Sequence, residues 1–336
     1  MTDGKTSVVE ALNLFASAVR RKTPPRHFFG MPSQLAARDA QLMMRNWVAA
    51  GESGWPDGLS KGDYRAGVYD LARPASQLRA YHQVISVALV KHAEFAAKQL
   101  TASGLMLGVV GLRGFFERAG SLAENVRRVS NSMRGQQGGM EAVLDASEDV
   151  ARCLYGTRLD WMGLATTGLR STSSRGASYK PTVDMADLTS KNVLTGIDAL
   201  EKRVSGARAS YEVFCEFLHP NVGDLVATTE QSSSWDDAWG TRHIRRVIAF
   251  DDSSTLGQAD FEAILGQAFG ISVDVVNLCP ALLHDLGQLA SLAQRVTKKS
   301  QHAIVRRNPD LFRRGDPCPC LSGKTIRECA PTALRA

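Results

Sequence analysis

The side chains best suited to a chemical role are three cysteines near the C-terminus. Cys318 and Cys320 are separated by a single residue, and Cys329 follows after eight more, within GDPCPCLSGKTIRECAP. Thiolates at such spacing are typical ligands of a tetrahedral Zn²⁺ ion, and the metal can supply the folding energy of so short a segment. Zn²⁺ takes four donors, so three thiolates leave one position to water, to His302 or to a partner residue.

The stretch RRGDPCPCLSGKTIREC resembles the SEC-C motif, a short zinc knuckle with the approximate pattern D-P-C-P-C-G-S-G-K, then aromatic and basic residues, then C-C or C-H. The resemblance is confined to this stretch. It implies that Cys318, Cys320 and Cys329 bind zinc and that the knuckle docks on partner molecules. Ala330 stands where the motif has its fourth ligand, so the ligand set is incomplete at that position.

Positive charge is concentrated around the same cysteines. Residues 291–336 contain ten Lys or Arg residues and three acidic residues, while the whole chain has a formal net charge of +6. The rest of the chain is therefore close to neutral. A basic segment of this kind can follow a phosphate backbone or an acidic protein surface. We predict docking on a protein or nucleic-acid partner through residues 291–336; a solvated segment that only aids solubility is the alternative.

A second candidate site combines charged residues from two helical stretches. In YEVFCEFLHPN, Glu216 and His219 share a helix face, where the carboxylate can orient the imidazole for general acid–base work. Arg113 and Glu117 are one turn apart within the apolar stretch LGVVGLRGFFERAGSL, and charges in such a setting need partners. One economical arrangement is a buried quartet of these four residues. A structural role at the end of the helix is the alternative for Glu216 and His219.

The same region resembles a group of bacterial helical proteins with an E-x-x-H-P-N motif and, more distantly, HEPN domains. This resemblance implies a metal-independent ribonuclease of a toxin or phage-defence system. His219 would be its acid–base residue, Glu216 the orienter of that histidine, and Arg113 a phosphate holder. HEPN ribonucleases have an arginine shortly before the histidine, whereas the nearest basic residue upstream of His219 is Arg208, eleven residues away. Whether the chain is an enzyme stays open.

The stretch PALLHDLGQLA places His284 beside Asp285, a pair that resembles the core of HD-type phosphohydrolases. In those enzymes adjacent His and Asp residues bind a metal together with an upstream His and a downstream Asp. The available upstream residue, His243, lies in a strand-like segment, and the aspartates that follow Asp285 lie in the basic tail. A phosphohydrolase is therefore only a minor alternative.

The elements that must position these residues are mainly helices. Amphipathic periodicity recurs along the chain and predicts a mainly α fold, a multi-helix bundle. The polar stretch from about 226 to 255 contains Trp235, Trp239 and HIRRVIAF, which predicts a small β-hairpin or an irregular insertion. We expect both tryptophans to pack against the bundle; stacking on a base or a peptide is the alternative. The predicted domains are an N-terminal helical segment (1–74), a helical bundle core (75–300) and a basic SEC-C-like tail (301–336).

Composition and missing motifs narrow the function classes. The chain has 44% hydrophobic and 22% charged residues, as soluble globular proteins do. It has no phosphate-binding GxxxxGK[ST] and no GxGxxG after a strand, which argues against a nucleotide-binding α/β fold. The longest apolar run, GLMLGVVGL, is too short to span a bilayer, and the first residues lack a signal-peptide pattern. We therefore expect a cytoplasmic protein that does not bind membranes.

Overall fold

The computed structural model describes residues 2–23, 60–102, 105–135, 139–155, 192–218, 229–248, 259–320 and 322–329. Most of these residues are helical, and the prediction of a mainly α fold with a small hairpin is confirmed. The helices are α1 (Thr2–Lys22), α2 (Lys61–Asp70), α3 (Arg73–Thr101), α4 (Leu105–Gly135), α5 (Met140–Tyr155), α6 (Val193–Glu201), α7 (Ala207–Glu216), α8 (Ala259–Arg307) and the short α9 (Ile326–Cys329).

Two strands lie between α7 and α8. β1 (Thr229–Asp236) and β2 (Arg242–Ile248) pair antiparallel, with Trp235 opposite His243 and Asp236 opposite Arg242. The register shifts between Gln231 and Ser233, where β1 has an extra residue. Within the described residues these strands form a sheet of two, so the hairpin is a small addition to a helical fold.

The chain divides into two compact units. One comprises residues 1–27, 83–124 and 192–284; the other comprises residues 28–82, 125–191 and 285–336. Because α3, α4 and α8 each continue across a boundary, every unit is assembled from segments that are distant in sequence. The predicted domain boundaries after residues 74 and 300 stay a prediction.

The first unit is packed through aromatic side chains on neighbouring helices. The ring of Phe115 in α4 meets that of Phe15 in α1 edge to face, with 5.6 Å between centroids. The adjacent Phe116 meets Phe214 of α7 in the same way at 5.4 Å. Such edge-to-face pairs add to the stabilisation from burial alone. Two successive aromatic residues of α4 thus fasten α1 and α7 to it.

The second unit contains a buried cluster contributed by α2, the end of α8 and the residues that follow α8. Its members are Tyr64, Val68, Val305, Phe312, Cys318 and Ile326. Ser60 precedes α2 as its N-cap, and its hydroxyl accepts a hydrogen bond from the backbone N–H of Asp63 at 3.2 Å. This N-cap fixes the start of α2. The cluster therefore brings a cysteine of the candidate zinc knuckle into a hydrophobic core.

α8 runs for 49 residues and continues through Pro280. On length and composition alone, its residues Ala263–Arg307 could cross a membrane, with a window of mean hydropathy 1.4 that is 39% buried. The core helix of a soluble protein passes the same test, so this finding is weak evidence for a membrane span. The expectation of a protein without a membrane span stays a prediction.

Candidate metal centre

The three cysteines of the predicted site converge with a histidine from α8. One ligand atom from each of His302, Cys318, Cys320 and Cys329 lies within 4.8 Å of every other. His302 Nε2 is 3.2 Å from Cys318 Sγ, and Cys318 Sγ is 3.2 Å from Cys320 Sγ. Zn–S bonds of about 2.3 Å place the thiolates of a tetrahedral site about 3.8 Å apart, so these sulfurs need to separate by only about half an ångström to surround a single ion.

The sequence left the fourth donor open between water, His302 and a partner residue. His302 precedes Cys318 by 16 residues and lies in the last two turns of α8. Ala330, where the motif would have its fourth ligand, lies outside the described residues. All three cysteines are free thiols. The described residues therefore supply three sulfur donors and one nitrogen donor, which is a complete set for a four-coordinate ion.

Local hydrogen bonds shape the segment that carries the cysteines, here called the knuckle (residues 313–329). The backbone N–H of Cys318 donates to the carbonyl of Lys324 at 2.8 Å, and the N–H of Ile326 donates to the carbonyl of Asp316 at 2.9 Å. Gly323 has a φ of 76°, in the left-handed region that favours glycine. The chain thus folds back on itself and returns Cys329 towards Cys320, with 3.4 Å between the two sulfurs.

A capping box starts α9 and directs Cys329. The backbone N–H of Thr325 donates to Glu328 Oε2 at 2.9 Å, while the N–H of Glu328 donates to Thr325 Oγ1 at 3.4 Å. These reciprocal bonds satisfy donors at the start of a helix. Because α9 spans only Ile326–Cys329, this cap defines most of its geometry.

The knuckle is packed against α2 and α8. Gln301, beside the candidate ligand His302, is fully buried and its Nε2 donates to the carbonyls of Val68 at 2.8 Å and Pro319 at 2.9 Å. Tyr69 Oη donates to the carbonyl of Pro317 at 2.6 Å. One amide therefore links α2, α8 and the knuckle. This segment is part of the hydrophobic core of its unit.

An ion pair adds to the contact between α2 and the knuckle. Arg65 Nη2 lies 3.1 Å from Asp316 Oδ2. The guanidinium carbon of Arg65 also lies 5.9 Å from the centre of the Phe312 ring, within the range of a cation–π contact. Asp316 further accepts a hydrogen bond from the backbone N–H of Arg313 at 2.7 Å. One of the few acidic residues of the basic segment is therefore engaged within the molecule.

A metal binds the neutral imidazole and the thiolate, and the surroundings of each donor decide how readily it takes that form. Burial, followed by Lys298 and Arg306, lowers the pKa of His302 and favours the neutral imidazole, the form that binds metals. Burial raises the pKa of Cys318 to about 12. Burial also opposes ionisation of Cys329, but hydrogen bonds from Ser322, the neighbouring thiols and Lys298 bring its pKa down to about 7. Cys329 therefore becomes a thiolate more readily than Cys318 does.

Exposed cations surround the candidate metal centre. Lys298 and Arg306 lie one helical turn before and after His302 on α8, and both are exposed. Within the described part of residues 291–329, the exposed acidic residues are Asp310 and Glu328. The exposed basic residues of the same segment are Arg295, Lys298, Lys299, Arg306, Arg307, Arg313, Arg314, Lys324 and Arg327. The surface around the centre is therefore strongly positive.

The second candidate site is only partly within the described residues. Arg113 Nε donates to Glu117 Oε1 at 3.2 Å, and Tyr211 Oη donates to the same oxygen at 3.1 Å. The side chains of Arg113 and Glu117 are 31% and 32% exposed, so this pair is half-buried. Glu216 is the last residue of α7, and His219 lies outside the described residues. The quartet and the ribonuclease assignment to Arg113, Glu216 and His219 stay predictions.

Tyr211 is a partner of Glu117 that the sequence reasoning missed. Its ring lies under the guanidinium of Arg113, with 6.0 Å between the guanidinium carbon and the ring centre. Burial raises the pKa of Tyr211 to about 12, so the phenol keeps the proton that it donates. Tyr211 and Phe214 are buried on one face of α7, and this three-residue spacing is the signal that could have identified the face towards α4.

The His–Asp pair of the phosphohydrolase alternative is exposed on α8. His284 and Asp285 both face solvent. Among the described residues, neither belongs to a group of three metal-ligating side chains. The geometry near this pair thus adds no support to the phosphohydrolase alternative.

The chain matches no protein-family model, no curated protein and no solved structure. The similarity to the SEC-C motif therefore rests on the residues of the knuckle themselves.

Proposed function

We propose that residues 291–329 form a zinc-held, SEC-C-like basic surface that docks the protein on an anionic partner, either a nucleic acid or an acidic protein surface. One observation supports this proposal most directly. His302 lies close to three cysteines, and two exposed cations of α8 flank it. The proposal assumes a cytoplasmic setting, where thiols stay reduced and available to a metal.

Zinc is the ion that best suits the donors. Three thiolates and one imidazole form one of the usual structural zinc sets, and soft sulfur ligands disfavour hard cations such as Mg²⁺ and Ca²⁺. Four protein donors leave no open position for a substrate or a reactive water, so the ion has a structural role. It would hold the knuckle on α8 and thereby fix the basic residues of both.

Docking would depend on basic side chains that α8 and the knuckle hold in fixed positions. Lys298 and Arg306 flank the ligand His302 on α8, and Lys324 lies in the turn of the knuckle. Loss of the ion would free the knuckle from His302 and separate Lys324 from the cations of α8. Electrostatic contacts with phosphates or carboxylates are weakened by salt, so affinity should depend on ionic strength.

The metal is tested by elemental analysis of the purified chain. We expect about one zinc per chain in the wild type and far less in His302→Ala and Cys318→Ser, because each loses one of four donors. His284→Ala, at an exposed histidine of the same helix, is the matched control and should keep its zinc. A wild-type zinc content near zero, unchanged in Cys318→Ser, would contradict the zinc site.

Docking is tested by fluorescence anisotropy with two labelled probes, a DNA duplex and a poly-glutamate peptide. We expect salt-sensitive binding to at least one probe and a large loss in the triple variant Lys298→Gln, Arg306→Gln, Lys324→Gln. On DNA, each lost phosphate contact should lower the salt slope by about 1. The control removes three exposed charges elsewhere, by Arg79→Gln, Lys91→Gln and Lys202→Gln. Equal losses in both triple variants, or no binding to either probe, would overturn the docking proposal.

A further inference from the structure

The tip of the β1–β2 hairpin carries a tryptophan that the fold itself does not use. Trp239 is 91% exposed and Trp235 is 50% exposed. The expectation that both rings pack against the bundle is therefore wrong for Trp239. Tryptophan is rarely this exposed unless its ring serves an interface. The surrounding turn determines what such an interface can be.

The turn that presents Trp239 is held by one carboxylate. Asp237 Oδ1 accepts hydrogen bonds from the backbone N–H groups of Trp239 at 2.9 Å and Thr241 at 2.8 Å. Asp237 Oδ2 pairs with His243 Nε2 at 3.0 Å. Gly240 completes the turn with a φ of 78°. The backbone of Trp239 is thus fixed while its ring stays free, an arrangement suited to presenting an aromatic surface to a ligand.

Trp235 supplies a second aromatic surface beside the turn. Its ring stacks on that of His243, the opposite residue of β2, with 5.4 Å between centroids and 13° between planes. The histidine covers one face of the indole and leaves the ring half exposed. Two flat aromatic surfaces, Trp235 and Trp239, therefore lie within five residues of one another along the chain. The ring of Trp235 has His243 stacked on one face.

The residues beside these rings favour one class of ligand. Arg242, the first residue of β2, is exposed, and its Nη2 donates to Ser234 Oγ at 3.2 Å. Aromatic rings next to an arginine match the bases and phosphates of a single strand. Insertion into a bilayer would need an apolar tip, whereas Trp239 is surrounded by Asp236, Asp237 and Thr241.

From this arrangement we infer that the hairpin tip binds single-stranded nucleic acid, with bases stacked on Trp239 and Trp235 and phosphate near Arg242. The inference concerns a site other than the knuckle and holds whether or not the knuckle docks on a nucleic acid. Stacking on an aromatic ring tolerates any base, so we expect little sequence preference. This is an interaction surface without a catalytic step.

The test compares two probes of equal charge on the full chain. One is an oligothymidylate of about 12 nucleotides and the other an abasic strand of the same length, which has the phosphates without the bases. We expect the wild type to bind the oligothymidylate at least about five-fold more tightly, because one stacked base contributes that much affinity. An oligouridylate serves as the RNA arm and should bind in the same way if the base alone is recognised.

Variants of Trp239 attribute the difference between probes to the hairpin. Trp239→Ala should abolish the preference for bases over the abasic strand, and Trp239→Phe should retain part of it. Because the ring is almost fully exposed, neither change should alter thermal stability, which serves as the folding control. The triple variant Lys298→Gln, Arg306→Gln, Lys324→Gln should change the affinity for both strands by the same factor and leave the preference unchanged.

Two outcomes would overturn the inference. The first is equal binding of the oligothymidylate and the abasic strand by the wild type, which would leave only phosphate contacts. The second is a Trp239-dependent blue shift of emission on vesicles of anionic lipid with no response to either strand, which would make the tip a membrane contact. A preference for bases that survives in Trp239→Ala would equally exclude the hairpin as its source.

Discussion

Gln301 connects the metal centre to the packing of its unit. Its buried amide donates to the carbonyls of Val68 and Pro319, on α2 and in the knuckle, while the next residue, His302, is the candidate nitrogen ligand. Buried backbone carbonyls need donors, because an unsatisfied polar group in a protein interior keeps the full cost of desolvation. The position of His302 relative to the cysteines thus depends on a neighbour that touches no metal.

We predict that Gln301→Met destabilises the protein by about 1 kcal/mol or more, since the carbonyls of Val68 and Pro319 both lose their donor while the side-chain volume is kept. The loss is partly offset because the change also removes the buried Gln301 Oε1, which has no hydrogen-bond partner among the described residues. Urea unfolding of the zinc-loaded protein measures the change. Gln288→Met, at an exposed glutamine of the same helix, is the control and should stay within about 0.5 kcal/mol of the wild type. Equal stability of the two variants would mean that the amide bridge is unimportant.

At the scale of elements, glycines set how closely helices approach. A Cβ on Gly120 of α4 would lie 2.7 Å from the carbonyl carbon of Gly196 in α6. The atoms in contact belong to the backbone, so they cannot turn away as a flexible side chain would. By contrast, a Cβ on Gly270 of α8 would meet nothing within 4 Å. The same substitution should therefore have opposite effects on these helices.

We expect Gly120→Ala to destabilise the protein by about 1–3 kcal/mol, because α4 and α6 must separate to admit the methyl group. Gly270→Ala should stabilise it by up to about 1 kcal/mol, because alanine has the higher helix propensity and the site is open. Chemical denaturation followed by circular dichroism gives both values. A Gly120→Ala variant as stable as Gly270→Ala would show that the α4–α6 contact is not close in solution.

At the scale of the whole molecule, the candidate metal centre belongs to one of two compact units rather than to a separate appendage. The knuckle shares a buried cluster with α2 and the end of α8, and ion-pair and hydrogen-bond contacts fasten it to α2. A ligand that binds only the folded state stabilises that state. Zinc should therefore stabilise the whole unit, because the chain has to be folded for His302 to meet the cysteines.

Removal of zinc with a strong chelator should lower the melting temperature of the wild type by about 5 °C or more. Cys329→Ser, which lacks one donor, should melt at the lower temperature with or without chelator. Differential scanning calorimetry measures this change in melting temperature. It also shows whether the change affects the whole unfolding transition or only part of it. An unchanged melting temperature of zinc-loaded wild type after chelation would contradict a structural role of the metal.

Much of the fold was predictable because its signals are local. The helices follow amphipathic periodicity, and the hairpin follows a polar stretch with one strand-like run. The capping box Thr325–Glu328 is also a local signal, because it involves only four consecutive residues. The exposure of Trp239 was not predictable, because the same pattern fits a loop that folds onto the bundle. Its exposure of 91% is a property of the folded chain.

The sequence by itself determined the mainly α class, the basic charge of residues 291–336 and three thiols at metal-ligand spacing, since each depends on residues close together in the chain. Tertiary structure alone decided that His302 meets these thiols and that Tyr211 joins Arg113 and Glu117. Both contacts join residues on different elements. They depend on where α8 ends, how the knuckle turns back and which faces of α4 and α7 meet, and spacing within one element encodes none of these.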